Sequence, residues 1–295
     1  MVIKGIHYFE LLILAAVWGS SFMFMRIASP EFGPISLITV RLLISAIVLF
    51  PILTYRKESR LILMNWSKFL WVGLVTTAIP FTLFSYVTLS LTAGHTSLLN
   101  ATVPIFSAII AWYWLNEKLT GVGIIGLILG FLGVFILASL DAGASKALLL
   151  SVMAALCGAT ILGYGSCFSR LHMQNFPAIT VAAGTQLFAA LFMVPLGLFF
   201  WPDAVPSIGA WLSVIALGIF CTALSLIFFF HLLQQVGVAN TVAVAYLIPV
   251  FGVLWGYIFL DEVVTLDMIL GGAGIFMGVA LITSSAGKKR VKVAE

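Results

Sequence analysis

Arg41 is the side chain in this chain whose type and position most invite a chemical role. It is a charged residue inside an apolar stretch that begins at Pro34. Such a charge is costly in a membrane, so it usually faces a cavity or a partner. Arg41 could bind an anionic group or brace a gate, or it could reach the surface or cap neighbouring carbonyl groups. Its counterpart in the internal repeat described below lies near Gly184 and is uncharged, which slightly favours the structural role.

Tyr86 and His231 form a second candidate group, because they occupy equivalent positions in the two copies of the repeat. We expect them near opposite mouths of the molecule, where polar aromatic side chains suit gates or cavity walls. For His231, a hydrogen-bonded packing residue is an equally open interpretation.

Asn100 and Tyr246 stand shortly before two matching prolines, Pro104 and Pro249. Proline frees backbone carbonyl groups in the preceding turn and permits a kink. The pattern therefore predicts a hinge at the same place in both copies, beside two groups that could bind substrate. A static bend is the plainer alternative.

Four further side chains are predicted to bind substrate. Trp18 and Tyr164 lie near the middle of apolar stretches, beside small or hydroxyl residues such as Ser21. Aromatic walls bind flat or cationic solutes. Gln186 adds an uncharged hydrogen-bonding group.

The sequence gives little support for a proton-binding or metal-binding site. Glu10 could be a proton site, but its position near one end of the first apolar stretch favours a solvated or Lys4-paired carboxylate. The four histidines lack the spacing of metal ligands, so no metal and no cofactor is predicted.

The composition requires these residues to sit in a membrane. Of 295 residues, 62% are hydrophobic and 8% are charged, whereas soluble domains carry roughly a quarter charged residues. No stretch is long and polar enough for a soluble domain, and no phosphate-binding G-x-x-x-x-G-K-[ST] loop is present. The net charge of +4 does not indicate nucleic acid, because the basic residues flank apolar stretches.

A helix crosses a bilayer with about 20 apolar residues. Ten stretches meet that length, which predicts an all-α integral membrane protein with ten transmembrane helices. We number them as spans 1 to 10 and expect them near 8–26, 34–54, 67–89, 95–115, 121–140, 147–169, 177–199, 209–232, 240–260 and 265–284. Span 1 lacks a signal-peptide cleavage site and is interpreted as an uncleaved helix.

Residues 66–139 and 211–284 are two copies of one segment, aligned without a gap at an offset of 145. Trp66 falls on Trp211, and Glu117 on Glu262. The first two spans of each half match more weakly. Aligning Gly19 with Gly158, and Pro34 with Pro177, gives offsets that grow from 139 to 143.

Lysine and arginine predict the orientation. With a cytoplasmic N-terminus, eleven basic residues face the cytoplasm, and only Arg26 and Lys146 face out. Five spans in each half then place the two copies antiparallel. The predicted units are a first five-helix repeat at 1–140, a second, inverted repeat at 141–285, and a basic cytoplasmic tail at 286–295.

Inverted repeats are an architecture of secondary transporters, because exchanging the conformations of two such halves turns an outward-open cavity into an inward-open one. A membrane-embedded enzyme acting on lipid-like substrates would need converging acidic, histidine or serine groups, which the sequence does not show. A passive channel or scaffold is the remaining alternative. Glycines on spans 5 and 10 form small-residue faces, for which packing of the two halves and a homodimer contact are both open.

The chain resembles the EamA family of the drug/metabolite transporter superfamily. The resemblance rests on the motif at residues 18–22, on Pro34 followed by Arg41, and on the matching motifs at 116–120 and 261–265. It implies a carrier of the inner membrane with a central cavity lined by both halves. Its substrates would be small metabolites, often exported amino acids or related compounds, and its partners would be that substrate and the lipid bilayer.

Overall fold

The computed structural model describes residues 5–55, 58–139, 146–242 and 244–292. Lys4, the Arg56-Lys57 pair and Asp141 lie outside the described residues. Spans 1 to 10 have the bounds Gly5–Phe32, Pro34–Tyr55, Trp66–Val87, Ala93–Trp114, Gly121–Ser139, Lys146–His172, Ala178–Phe199, 208–242, Val244–Leu260 and Leu266–Lys292. A short helix, Ser59–Met64, precedes span 3.

The all-helical membrane fold predicted from the sequence is confirmed. Over the described ranges, nine helices are long and apolar enough to cross a membrane, and Val244–Leu260 is a shorter apolar helix of 17 residues. Helices satisfy their backbone hydrogen bonds internally, which lipid requires. Many large apolar side chains are exposed, as expected for surfaces that face lipid.

Helix contacts relate the two halves by an approximate twofold axis. Span 1 packs against spans 8 and 9, and in the same way span 6 packs against spans 3 and 4. Span 2 packs against its counterpart, span 7, and span 5 against its counterpart, span 10. Each half therefore inserts its first helix between two helices of the other half.

The glycines of spans 5 and 10 make this symmetry explicit. A Cβ atom on Gly126 would lie 2.7 Å from the carbonyl oxygen of Gly278, and one on Gly133 would lie 2.5 Å from that of Gly271. The repeat pairs Gly126 with Gly271 and Gly133 with Gly278, so each contact maps onto the other. Such reciprocity is the property of a twofold interface. The small-residue faces of the two spans thus pack against each other within the chain.

The register of the first span of each half differs from the expected one. A Cβ atom on Gly19 would lie 2.6 Å from the Cβ atom of Phe251, and one on Gly163 would lie 3.2 Å from the carbonyl carbon of Phe106. Phe106 and Phe251 are repeat counterparts, so Gly163, and not Gly158, is the counterpart of Gly19. The offset is 144 here and 145 beyond, so the offsets of 139 and 143 inferred from the sequence are wrong.

Spans 3 and 8 each contain a π-helical turn, at Leu74–Ala78 and Ile219–Leu224. These turns occupy the same position in the two halves, and each carries a threonine, Thr77 or Thr222. A π-turn inserts extra backbone into a helix and is frequent at functional sites. Nothing in the hydropathy pattern predicted them.

Span 4 is interrupted where the sequence predicted a hinge, but span 9 is not. One helix ends at Asn100 and the next begins at Val103, just before Pro104. Span 9 continues as one helix through Pro249. An interruption of the helix therefore accompanies the proline in the first half alone, and a kink at Pro249 stays a prediction.

We call the membrane side on which span 1 begins the basic side, since it carries Lys68, Lys118 and Arg170. The other side carries Asp203 and Glu262, and we call it the acidic side. The charge bias of the sequence predicts that the basic side faces the cytoplasm.

Candidate functional site

A cavity of about 360 Å³ lies between the two halves. Spans 1 to 4 and 6 to 9 contribute its walls, while no described residue of spans 5 and 10 lines it. Among the predicted site residues, those that line it are Trp18, Ser21, Arg41, Asn100 and Gln186. The structure thus brings together five side chains from spans 1, 2, 4 and 7.

Arg41 is buried in the cavity wall, with 3% of its surface exposed. Its Nε donates a hydrogen bond of 2.8 Å to the Oγ1 of Thr222. Its guanidinium carbon lies 4.2 Å from the centre of the Phe81 ring, which is within reach of a cation–π interaction. Its Nη1 is buried and has no hydrogen-bond partner in the structure. Arg41 therefore neither reaches the surface nor caps helix carbonyls.

Gln186 makes the equivalent contact in the other half. Its Nε2 donates to the Oγ1 of Thr77 at 3.3 Å. Because Thr77 and Thr222 are repeat counterparts on the two π-helical turns, Arg41 and Gln186 are counterparts as well. The sequence placed the repeat counterpart of Arg41 near Gly184, but in the structure the counterpart is Gln186.

Two amide oxygens add to the polar part of the cavity. The Oε1 of Gln186 and the Oδ1 of Asn100 are buried and have no partner in the structure. An unpaired buried polar atom is costly, so these atoms are available to a ligand or to water. Asn100 is the last residue of its helix before the break in span 4.

Aromatic and small side chains form the remaining wall near span 1. The Trp18 ring lies 5.4 Å from that of Phe229, and Ser21 is 4% exposed. The Oγ of the adjacent Ser20 lies 3.5 Å from the Sγ of Cys221. Leu162 of span 6, the counterpart of Trp18, also lines the cavity.

Three of the predicted substrate-binding residues line neither this cavity nor the smaller one described next. Tyr86 is 39% exposed, and its counterpart His231 is also exposed. Tyr164 stacks on Trp114 with ring centres 5.3 Å apart. The structure does not bring these three side chains together with the five that line the cavity. Their substrate-binding role stays a prediction.

Tyr246 and Pro104 line a smaller side cavity of about 170 Å³. Asn100 borders both cavities. The Tyr246 hydroxyl is bonded to the Oγ1 of Thr283. Pro249 is buried, and its carbonyl oxygen accepts a bond of 3.4 Å from the Ser97 hydroxyl.

The cavity extends toward the basic side. Ser169 in the last turn of span 6 and Val181 in the first turn of span 7 both line it. Toward the acidic side the cavity lining ends deeper in the bundle, since Arg41 and Asn100 each lie about two turns inside their helices. Polar contacts fill the bundle beyond them.

One such contact is a buried cluster that joins spans 1 and 3. The hydroxyl groups of Ser29 and Ser85 are 2.7 Å apart, and the Thr88 hydroxyl donates to Ser29 at 3.1 Å. All three side chains are fully buried. Arg26 donates to the Thr88 carbonyl oxygen.

Glu262 forms a second contact on the acidic side. Its carboxylate accepts bonds from the backbone N–H groups of Ala93, at 2.8 Å, and Gly94, at 3.2 Å. These groups begin span 4, where an anion is favoured by the helix dipole. Nearby, His95 and Asp267 are 2.8 Å apart.

The described residues contain no group of three or more His, Cys, Asp or Glu side chains that could hold a metal ion. The described residues that line the central cavity include no Asp or Glu. Its chemistry is that of hydrogen bonding, aromatic contact and a single cation.

Sequence reasoning missed several lining residues, among them Thr77, Thr222, Phe81 and Thr185. A signal existed for two of them, because Thr77 falls on Thr222 in the gapless repeat. A threonine that recurs at the same central position of two apolar spans could have marked both. Phe81 and Thr185 carry no comparable signal.

Comparison with known proteins places the chain in a family of membrane transporters. The model of the EamA-like transporter family matches residues 5–139 and again residues 149–284. The uncharacterized transporter YoaV of Bacillus subtilis is 25% identical over 282 residues, which cover 93% of this chain and 96% of that protein. A protein of Streptantibioticus cattleyicolor named a probable terminal-alkyne amino-acid exporter is 24% identical over 286 residues, covering 95% of this chain and 94% of that one.

The fold also has a solved relative. A protein of known crystal structure, 18% identical in sequence, matches with a TM-score of 0.67 over 97% of this chain and 99% of its own. At that identity the likeness concerns the fold alone.

Proposed function

The chain belongs to the EamA-like transporter family, and from that premise we propose that it is a secondary transporter that exports small metabolites by alternating access. The proposed substrates are amino acids or related amphipathic and aromatic compounds. The observation that carries the proposal is the central cavity, which both halves line and which extends to one side of the membrane.

The two ends of the cavity differ although the halves are related by symmetry. Ser169 and Phe230 line the cavity near the basic side. Their counterparts on the acidic side, Met25 and Ser85, are fully buried. If the halves exchanged conformations, these two buried positions would line a cavity open to the acidic side. That is the structural requirement of alternating access in an inverted repeat.

The loops after spans 4 and 9 support such an exchange because their local structures match. Asn116 and Asp261 are counterparts, and both have positive φ angles, 54° and 53°. In each loop the N–H of the following residue, Glu117 or Glu262, donates to the carbonyl oxygen six positions earlier. Asn and Asp tolerate this left-handed conformation well. The two glutamates thus start from equivalent backbone positions.

Their side chains nevertheless have different partners. Glu262 binds the start of span 4 through Ala93 and Gly94. Glu117 instead forms an exposed ion pair of 2.5 Å with Arg170. The counterpart of Arg170 is Arg26, which does not pair with Glu262 in this structure but donates to a carbonyl oxygen. We infer that opening the acidic side releases Glu262 from span 4 and lets it pair with Arg26.

One glycine makes the Glu262 contact specific to the acidic side. A Cβ atom on Gly256 would collide with the Oε2 of Glu262. The counterpart of Gly256 is Ala111, whose side chain is buried. Glu117 cannot fold against its own helix in the same way, so closure of the basic side must use different contacts.

The lining of the cavity fits a small amphipathic solute. A volume of about 360 Å³ lies within the range of small-molecule sites. Aromatic and aliphatic side chains surround a few polar groups, an arrangement that orients such a ligand. The name of the Streptantibioticus relative, an amino-acid exporter, agrees with this class of substrate.

Counterflow in liposomes tests the proposal. Liposomes containing the purified protein and loaded with one unlabelled amino acid at a time should accumulate the same labelled compound transiently, and its initial rate should saturate with concentration. A carrier gives this behaviour because the excess unlabelled compound inside competes with the labelled compound for the binding site and so slows its exit. Flux that rises strictly linearly with concentration would indicate a channel, and flux equal to that of empty liposomes throughout the amino-acid series would refute export of this class.

A further inference from the structure

Arg41 carries a positive charge that no group in the cavity balances. The lining residues include no carboxylate, and the described residues give Arg41 no ion pair. Its contacts with Thr222 and the Phe81 ring leave Nη1 without a partner. A buried charge is costly unless it is paired, so the site is electrostatically incomplete without an anion.

The second half of the chain indicates that the scaffold does not require this charge. At the counterpart position Gln186 forms the same type of bond, to the threonine of the other π-helical turn. An uncharged amide therefore serves the same helix–helix contact. The structural role that the sequence favoured for Arg41 accounts for its bond to Thr222 but leaves its charge unexplained.

We propose that Arg41 binds a carboxylate group of the transported substrate, an inference that rests on the proposed transport function. Guanidinium groups recognise carboxylates through charge-assisted and often bidentate hydrogen bonds. The Nη1 atom is buried and has no hydrogen-bond partner, and Arg41 is one of the residues that line the cavity. Because the counterpart position holds a neutral amide, the site offers one cation and selects substrates with one carboxylate.

The two unpartnered amide oxygens extend the site. The Oε1 of Gln186 and the Oδ1 of Asn100 can accept hydrogen bonds from a donor group on the same substrate, such as an amino or hydroxyl group. The side cavity of about 170 Å³, which Asn100 also borders, provides room for an apolar side chain. The substrate is thus a small monocarboxylate with a hydrogen-bond donor and an apolar part.

A matched ligand series tests the inference in purified protein. The probes are leucine, phenylalanine and threonine, each compared with its primary amide, in which a neutral carboxamide replaces the carboxylate. Ligands that bind the folded state raise the melting temperature. We expect at least one of the acids to stabilise the protein and its amide to bind about 10- to 100-fold more weakly, because a bond to a charged group is lost.

Arg41→Gln should abolish this preference for the acid, whereas Arg41→Lys should retain part of it because the charge remains. Lys68→Gln, which removes an exposed charge outside the cavity, serves as the control and should leave the preference unchanged. A structural role for Arg41 would change the melting temperature of the unliganded protein but not the discrimination between acid and amide. If Arg41→Gln does not fold, the acid-to-amide ratio of the wild type and of Arg41→Lys still decides.

The proposal would be overturned if acids and amides stabilised the protein equally, or if the preference for the acid survived Arg41→Gln. It would also be overturned if none of the three acids stabilised the wild type. Counterflow of the same compounds separates this failure from that of the transport function. Saturable counterflow of acid and amide at equal rates would leave the carrier intact and refute the carboxylate site. Saturable counterflow of neither would count against both.

Discussion

Glu262 is the residue whose change should most clearly shift the protein between its two states. In this structure its carboxylate accepts two backbone hydrogen bonds at the start of span 4. Hydrogen bonds to charged groups contribute roughly 1.5–3 kcal/mol each, and glutamine retains a neutral acceptor in place of the carboxylate. In the other state the inferred partner is Arg26, and an exposed ion pair contributes only about 0–1 kcal/mol.

Glu262→Gln should weaken the backbone contact of the closed acidic side more than it weakens the inferred pair with Arg26. It should therefore favour opening of the acidic side by a net of about 1–2 kcal/mol, which is about a 5- to 30-fold change in the ratio of the two states. The reporter is Ser85→Cys in a protein whose three native cysteines are replaced by alanine. Residue 85 is fully buried here and lines the inferred opposite cavity. Its labelling rate by a membrane-impermeant maleimide added to intact cells should rise by that factor.

Asp261→Asn is the matched control. It removes one negative charge from the same loop, and Asn116 shows that asparagine adopts the required backbone conformation there. Asp261 is exposed, so its neutralisation should leave the labelling rate within about twofold, as for other surface changes. An equal rise in both variants would indicate a general charge effect, and no rise in Glu262→Gln would refute the role of Glu262 in closing the acidic side.

Three further predictions follow from the packing and the cavity. Gly133→Val should lower the free energy of unfolding by about 1–3 kcal/mol, because its Cβ would press on the span 10 backbone. Chemical denaturation measures this loss, and it should show none for the control Gly121→Ala, because position 121 faces open space. Thr222→Val should weaken substrate binding in thermal-shift titrations more than Thr77→Val does, because it removes the hydroxyl group that accepts a hydrogen bond from the charged Arg41. Equal effects of the two substitutions would argue against a special role for the cation. Tyr164→Phe should change the counterflow rate by less than about twofold, since its ring stacks on an aromatic neighbour outside the cavity; a tenfold loss would place it in the transport path.

Hydropathy and the repeat were sufficient to predict the fold, because lipid restricts this chain to helices of a known length. The register of the first spans was not predictable in the same way. Small residues recur throughout span 6, so several alignments with span 1 look similar in an apolar sequence. Contact resolves the ambiguity, since Gly163, not Gly158, lies at the counterpart of the Gly19 contact.

The candidate site was predictable in part for a related reason. Polar side chains identified the spans that bear the cavity, but a helix apolar on every face does not reveal which face is inward. Ser85 and Tyr86 illustrate the problem, since successive residues point about 100° apart around a helix. The first is buried between spans and the second is exposed. Helix orientation, and the π-helical turns that change it, depend on packing against other spans.

The central claim is that one cavity opens alternately to the two sides, and a reversible lock on the acidic side tests it most directly. The hydroxyl groups of Ser29 and Ser85 lie 2.7 Å apart in the closed cluster, so cysteines at both positions should form a disulfide in the cysteine-free background. We expect the oxidised protein to bind substrate in thermal-shift assays but to lose counterflow, and reduction to restore it. If the fully oxidised protein showed counterflow as fast as the protein after reduction of the disulfide, alternating access would be contradicted.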